Sequence, residues 1–366
     1  MRIFNYILLT LIAFLSIACV QTPQVVDLGK DITCKSGDII VVCEGLMGYD
    51  NSDLSVLEVN TGLSSNNYFT NNNPKSALGD TANDALLKGD TLIVCSTGAS
   101  FVNFINIENG KSEKIILLPA DCKPRKMALL NDSILAMTDL IKSRLLLINI
   151  NQDSVVNWIS VGPQPEGVAI YNNFIFTSNS AYGDFNYKHP DAHTISVVDL
   201  RLKKEIQKIQ TGINPIEILV NDVNKKMYVA YIHLPSKVDS MGGIIEYDLQ
   251  TFEKLREWRC YPRSLSLNKN KGELFYINQM NGKNGYWKGV SKIDLISGDT
   301  KHLIENKSND IWYGLNIDDL DGSIWIANAK NHINNGEALM YANNEYTSPK
   351  YRFETSINPN KFIFIK

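Results

Sequence analysis

Val161-Gly162-Pro163-Gln164-Pro165-Glu166-Gly167-Val168-Ala169-Ile170 opens the stretch of sequence that decides the fold. It continues through Phe174-Ile175-Phe176-Thr177-Ser178-Asn179, Thr194-Ile195-Ser196-Val197-Val198-Asp199-Leu200 and Glu205-Ile206-Gln207-Lys208-Ile209-Gln210. At Gly212-Ile213-Asn214-Pro215-Ile216-Glu217-Ile218 the cycle restarts. Four short apolar-alternating runs separated by turn residues carry the period of strands, not of a helix. Four strands followed by a restart predict one blade of a β-propeller.

Working outward with this stretch as a ruler gives seven units. The first holds Ile39-Ile40-Val41-Val42-Cys43 and Leu54-Ser55-Val56-Leu57; the second opens at Leu78-Gly79-Asp80-Thr81-Ala82-Asn83-Asp84. Pro124-Arg125-Lys126-Met127, the opening stretch, Met227-Tyr228-Val229-Ala230-Tyr231, Pro262-Arg263-Ser264-Leu265 and Trp312-Tyr313-Gly314-Leu315 mark the others. The spacing of roughly 40–50 residues is that of four-stranded blades. The last residues, Ser356-Ile357-Asn358-Pro359-Asn360-Lys361-Phe362-Ile363, mirror Gly212-Ile213-Asn214-Pro215-Ile216-Glu217-Ile218-Leu219. The chain therefore ends on an innermost strand, whereas the first unit begins at its second. The C-terminus is expected to supply the missing strand and close the ring, leaving no open sheet edge there.

Gly-x-x-Pro before an apolar strand, an apolar strand ending in Asn and a Val-x-x-Asp-Leu strand resemble the YncE-like, "YVTN" family of seven-bladed propellers. Cys43-Glu44-Gly45 and Leu78-Gly79-Asp80-Thr81-Ala82-Asn83 are similar to signatures of propeller lipoproteins of Gram-negative outer membranes, with Cys43 where Asn is usual. The resemblance implies surface capture of cobalamin (vitamin B12) and its delivery to a TonB-dependent transporter.

The N-terminus fits such a lipoprotein. Arg2 precedes an apolar run, and Ser16-Ile17-Ala18-Cys19 resembles a lipobox. Residues 1–18 are expected to be a signal peptide, Cys19 the lipidated anchor, 19–30 a tether and 31–366 the propeller. The expected location is the outer membrane, on its surface or periplasmic side. A formal charge of -3 with no basic stripe argues against nucleic-acid binding. Beyond Cys19, the cysteines 34, 43, 95, 122 and 260 match no zinc spacing and contain no Cys-x-x-Cys. Buried small-hydrophobe roles are the default, with one disulfide possible.

In such a blade, the loop before the innermost strand and the loop after the second strand open on one face. Candidate ligand residues come from both. The first class gives Asp80, Asn83, Asp84, Arg125, Glu166, Arg263, Trp312 and Tyr313; the second gives Asn179, Tyr182, Tyr187, His189, His233, Tyr286 and Trp287. Each has a structural alternative. Arg125 and Arg263 could satisfy channel carbonyls, Asp80 and Asn83 could cap a turn, Glu166 could bond within the channel, and the aromatics could pack down on their loops. Asp199, Asp248 and Asp294 read as turn formers.

The five histidines show no metal-binding spacing, and nucleophile-elbow, Walker and dinucleotide fingerprints are absent. The expectation is a non-catalytic ligand-binding lipoprotein without cofactor or metal, taking cobalamin as cargo. Two alternatives are an envelope scaffold for a protein partner and a lactonase-type metal hydrolase or lyase. The last would need Glu44, Glu166 and Asn179 gathered round a divalent ion.

Overall fold

The computed structural model describes residues 33–182, 185–232, 234, 240–279 and 287–366. Seven four-stranded antiparallel sheets form a ring, a seven-bladed β-propeller. Cys19, the segments 1–18 and 19–30, His233 and Tyr286 lie outside the described residues.

The opening stretch folds as one blade: Pro165–Tyr171 innermost, then Phe174–Asn179, Thr194–Asp199 and Lys204–Gln210. Its middle strands are almost wholly buried, while the outermost is largely solvated. That gradient explains the continuous apolar runs in the middle and the Lys/Glu/Gln-rich outer strand. Asp199, Asp248 and Asp294 each accept from the backbone N–H groups two and three residues on, as Asx turns after the third strand.

Closure follows the repeat. Pro359–Phe364 pairs antiparallel with Ile39–Cys43 and becomes the innermost strand of the first blade. Asn214 and Asn358, matched in the sequence mirror, share a left-handed backbone with φ of 53° and 57°, a conformation Asn tolerates well. Seven hydrophobic clusters fill the seven gaps between adjacent blades. The cluster between last and first blades gathers Val41, Leu57, Trp325, Phe353 and Phe362. The core is thus a ring of interfaces, and every blade depends on two neighbours. Cysteines 34, 43, 95, 122 and 260 are buried and free. Burial pushes the Cys34, Cys95 and Cys260 thiols up to about 12, so they stay protonated and inert at neutral pH.

Candidate functional site

The innermost strands start at Ala82, Pro124, Pro165, Pro215, Pro262, Trp312 and Pro359, and each carries a β-bulge at its first residues. One extra residue on the inner strand breaks the in–out alternation there and re-aims side chains. Two consecutive residues of each blade are thereby available to the channel. The first set is Asn83, Arg125, Glu166, Ile216, Arg263, Tyr313 and Asn360. The second is Asp84, Lys126, Gly167, Glu217, Ser264, Gly314 and Lys361. A cavity of about 710 Å³ occupies this channel and its mouth, within the usual size of small-molecule sites.

At the mouth, Nε and Nη2 of Arg125 both donate to Glu166 Oε1, the Nε contact at 2.9 Å. Burial opposes the charge on Arg125, but Glu166 beside it holds the guanidinium pKa above its ordinary value. Glu44, buried, accepts from the Tyr313 hydroxyl at 3.0 Å and from Asn360 Nδ2 at 2.8 Å. The Arg263 guanidinium lies 4.2 Å from the Tyr313 ring centroid. Tyr182 and Gln279 complete the wall.

The second set alternates in charge. Lys361 Nζ contacts Asp84 Oδ1 at 2.6 Å, and Asp84 Oδ2 accepts from the Met127 N–H at 2.8 Å. Lys126 Nζ donates to the Asn83 carbonyl at 2.9 Å. Glu217 accepts from the Leu265 N–H at 2.9 Å, bridging the fifth and sixth blades. Burial pushes its carboxyl up to about 7, against the pull of Lys126. Between the ordinary carboxylate range and pH 7 the folded chain therefore holds a proton that the unfolded chain has released, and stability falls as pH rises through that window. Replacing Glu217 with Gln keeps the acceptor and removes the charge. Urea unfolding should find the variant more stable than wild type by roughly 1–2 kcal/mol above the window, and equal to it below. An unchanged difference across the window would rule out this titration.

Six of the sequence candidates behave differently from a shared wall. Asn179 is fully buried, its Nδ2 donating to Thr194 Oγ1 and Ser196 Oγ, so it braces its own blade. Trp312 is a core residue between the sixth and seventh blades. Asp80 receives the Gly48 N–H and fixes a loop of the first blade. His189 accepts from the Asp191 N–H within its own loop. Tyr187 pairs with Lys188, and Trp287 stacks on His302 at 4.1 Å, folded back on the outer edge of the sixth blade. Asn83, Arg125, Glu166, Tyr182, Arg263 and Tyr313 do line one cavity. Asp84, which the sequence places in the same loop class, lines it too; Lys126, Glu217, Asn360 and Lys361 join them, although the sequence does not single these four out as ligand residues. For Lys126 and for Asn360 and Lys361 the signal is a pair of polar residues straight after the blade-opening position, Arg125-Lys126 and Asn360-Lys361; Glu217 follows the apolar Ile216 and has none. Glu44 and Glu166 share the cavity, but Asn179 is elsewhere, and no group of three or more His, Cys, Asp or Glu side chains able to hold a metal ion occurs among the described residues.

No protein-family model matches the chain, and no curated protein does. Solved structures do. A quinonprotein alcohol dehydrogenase-like protein from Bacteroides thetaiotaomicron is similar with a TM-score of 0.67 and 11% identity, over 90% of this chain and 79% of that one. The dihydro-heme d1 dehydrogenase NirN matches with a TM-score of 0.59 and 11% identity, over 93% and 78%. Hydrazine synthase of Kuenenia stuttgartiensis matches with a TM-score of 0.56 and 14% identity, over 69% and 73%. At such identities the likeness is one of propeller fold alone, and the site has to be argued from its own residues.

Proposed function

We propose that this propeller is a non-catalytic ligand-binding lipoprotein of the cell envelope. Anchored to the outer membrane through Cys19, it captures a corrinoid such as cobalamin at the channel mouth for delivery to a TonB-dependent transporter. The observation that carries the binding reading is the mouth itself. Charged, amide and aromatic side chains from several blades converge on one cavity, with Tyr182 half-exposed at its edge. A corrinoid presents peripheral amides that need both donors and acceptors, and Arg125, Asn360 and Gln279 offer both kinds. The corrinoid identity rests on the likeness of Glu44-Gly45 and Leu78-Gly79-Asp80-Thr81-Ala82-Asn83 to the outer-membrane propellers.

Exposed apolar side chains support the hand-over to a protein partner. Met47, Tyr49 and Phe185 are each more than 70% exposed, on loops that follow the second strand of their blades, the loop class that opens at the mouth. The test is calorimetric titration of the mature protein with cobalamin. One-to-one binding at micromolar or lower Kd is expected, and Tyr182→Ala should weaken it by about tenfold, as loss of a contact aromatic does. Absence of heat at micromolar ligand would remove the corrinoid.

A further inference from the structure

The cations of the channel wall are satisfied one by one, except at Arg263. Arg125 has Glu166, Lys361 has Asp84, and Lys126 has the Asn83 carbonyl. No carboxylate or carbonyl of the described residues accepts from Arg263, and its Nε is closed off from solvent with no hydrogen-bond acceptor. The Tyr313 ring under the guanidinium fixes its plane, while the Tyr313 hydroxyl is turned to Glu44. Stacking uses the face of a guanidinium and leaves its N–H edge free to bond a two-oxygen anion side by side.

A second orphan stands beside it. Gln279 Oε1 is buried without a donor, in the wall of the same cavity. Pro262 and Asn278 are ladder partners, and the Gln279 N–H donates to the Tyr261 carbonyl at 2.9 Å. Arg263 and Gln279 are thus neighbours at the head of the sixth blade, one an unmatched charged donor and the other an unmatched acceptor. Buried polar groups in native proteins are nearly always paired, so two orphans on neighbouring residues that line one cavity ask for a ligand with the complementary pair.

We infer that Arg263 and Gln279 form a subsite for an oxyanion carried beside an N–H donor, a carboxylate or phosphodiester next to an amide. This rests on the reading of the channel mouth as a ligand site but not on the ligand being a corrinoid. Arg263 binds the two anionic oxygens through its edge, and Gln279 accepts from the neighbouring N–H. Glu166, paired with Arg125, leaves that part of the mouth close to neutral. Glu44, bonded to the neutral Tyr313 hydroxyl and Asn360 amide, keeps its negative charge and so disfavours an anion there, confining it to the sixth blade.

The arginine Nε–H resonances of the whole protein provide the readout, with the Arg263 signal identified by its loss in Arg263→Lys. Titrants are N-acetylglycine and dimethyl phosphate, which separate carboxylate from phosphodiester, and the neutral N-acetylglycinamide. At least one oxyanion should shift the Arg263 signal saturably at millimolar concentration, as fits molecules so small, while Arg201, exposed on an outer turn, does not move. N-acetylglycine should bind at least threefold more tightly than acetate, and Gln279→Met should abolish that preference. No saturable shift with either oxyanion, or an equal shift with N-acetylglycinamide, overturns the subsite. A clear oxyanion shift without cobalamin heat would uphold the subsite and dismiss the corrinoid. Cobalamin binding unchanged in Arg263→Lys, with no oxyanion shift, would do the reverse.

Discussion

A chain ended at Asn358 is expected to lose cooperative folding altogether, and not merely to fray at its last blade. The eight residues removed include the innermost strand of the first blade, paired along Ile39–Cys43. Phe362 is 2% exposed, and Ile363 and Ile365 are 8% exposed. Trp325 of the seventh blade packs against the rings of both Phe362 and Phe364, at 5.7 and 6.3 Å between centroids. Each such side chain stabilises the fold by about 1.5–3 kcal/mol through burial, so together they approach the roughly 5–15 kcal/mol that separates a whole domain from its unfolded state. Truncation also bares the N–H and C=O groups of Ile39–Cys43, a buried strand turned into an open edge. Circular dichroism and urea titration of the shortened chain should show no sigmoidal transition, or the protein should be recovered only as aggregate. A cooperative transition with a midpoint near that of the full chain would mean that the ring does not depend on this closure.

That dependence is legible from the sequence because it rests on a repeat. Ser356-Ile357-Asn358-Pro359 copies Gly212-Ile213-Asn214-Pro215, and the copied Asn has a physical reason, a left-handed turn feeding an innermost strand. The blades are legible for the same kind of reason, since burial on both faces dictates apolar middle strands. The site is only half legible. Strand alternation sends neighbouring residues to opposite faces, so a reading by period takes one residue of a blade-opening pair, Arg125 but not Lys126 and Arg263 but not Ser264, although Asn83 and Asp84 both fall to the loop before the second blade. The bulge that makes both available to the channel is a feature of pairing between strands, and no local pattern announces it. Asn179 misleads in the opposite way. A polar residue ending an apolar strand beside a long loop suggests an exposed contact, yet its amide is consumed by Thr194 and Ser196 under the loop. Trp287 sits on a loop of the mouth class but stacks outward on His302, because an indole gains more by covering a ring than by standing in water.

Asp84 is where the channel wall and the closure meet. From the second blade it holds Lys361 of the closing strand at 2.6 Å and receives the Met127 N–H of the third blade at 2.8 Å. Burial by itself would raise its carboxyl pKa, but Lys361 and Lys126 outweigh burial and bring it below the ordinary value of 3.8. A carboxylate depressed in this way adds stability that is fully present above the ordinary pKa and is lost as pH falls through it toward the folded value. Asp84→Ala leaves Lys361 and Lys126 facing each other with no carboxylate between them and orphans the Met127 N–H. The expected loss is about 3–5 kcal/mol near neutral pH, the cost of breaking a buried pair from one side. Asp84→Asn keeps an acceptor for Met127 and should lose less, about 2 kcal/mol, with the acid dependence of wild type flattened. Urea unfolding of the three proteins from neutral pH down through the carboxylate range measures both effects. Amide exchange at Phe362 and Ile363 should quicken in Asp84→Asn more than exchange in the fifth blade, because the lost charge pair holds the closing strand and not a distant sheet. A neutral-pH loss below about 0.5 kcal/mol in Asp84→Ala would reduce the pair to an ordinary surface contact and free the closing strand from any electrostatic latch.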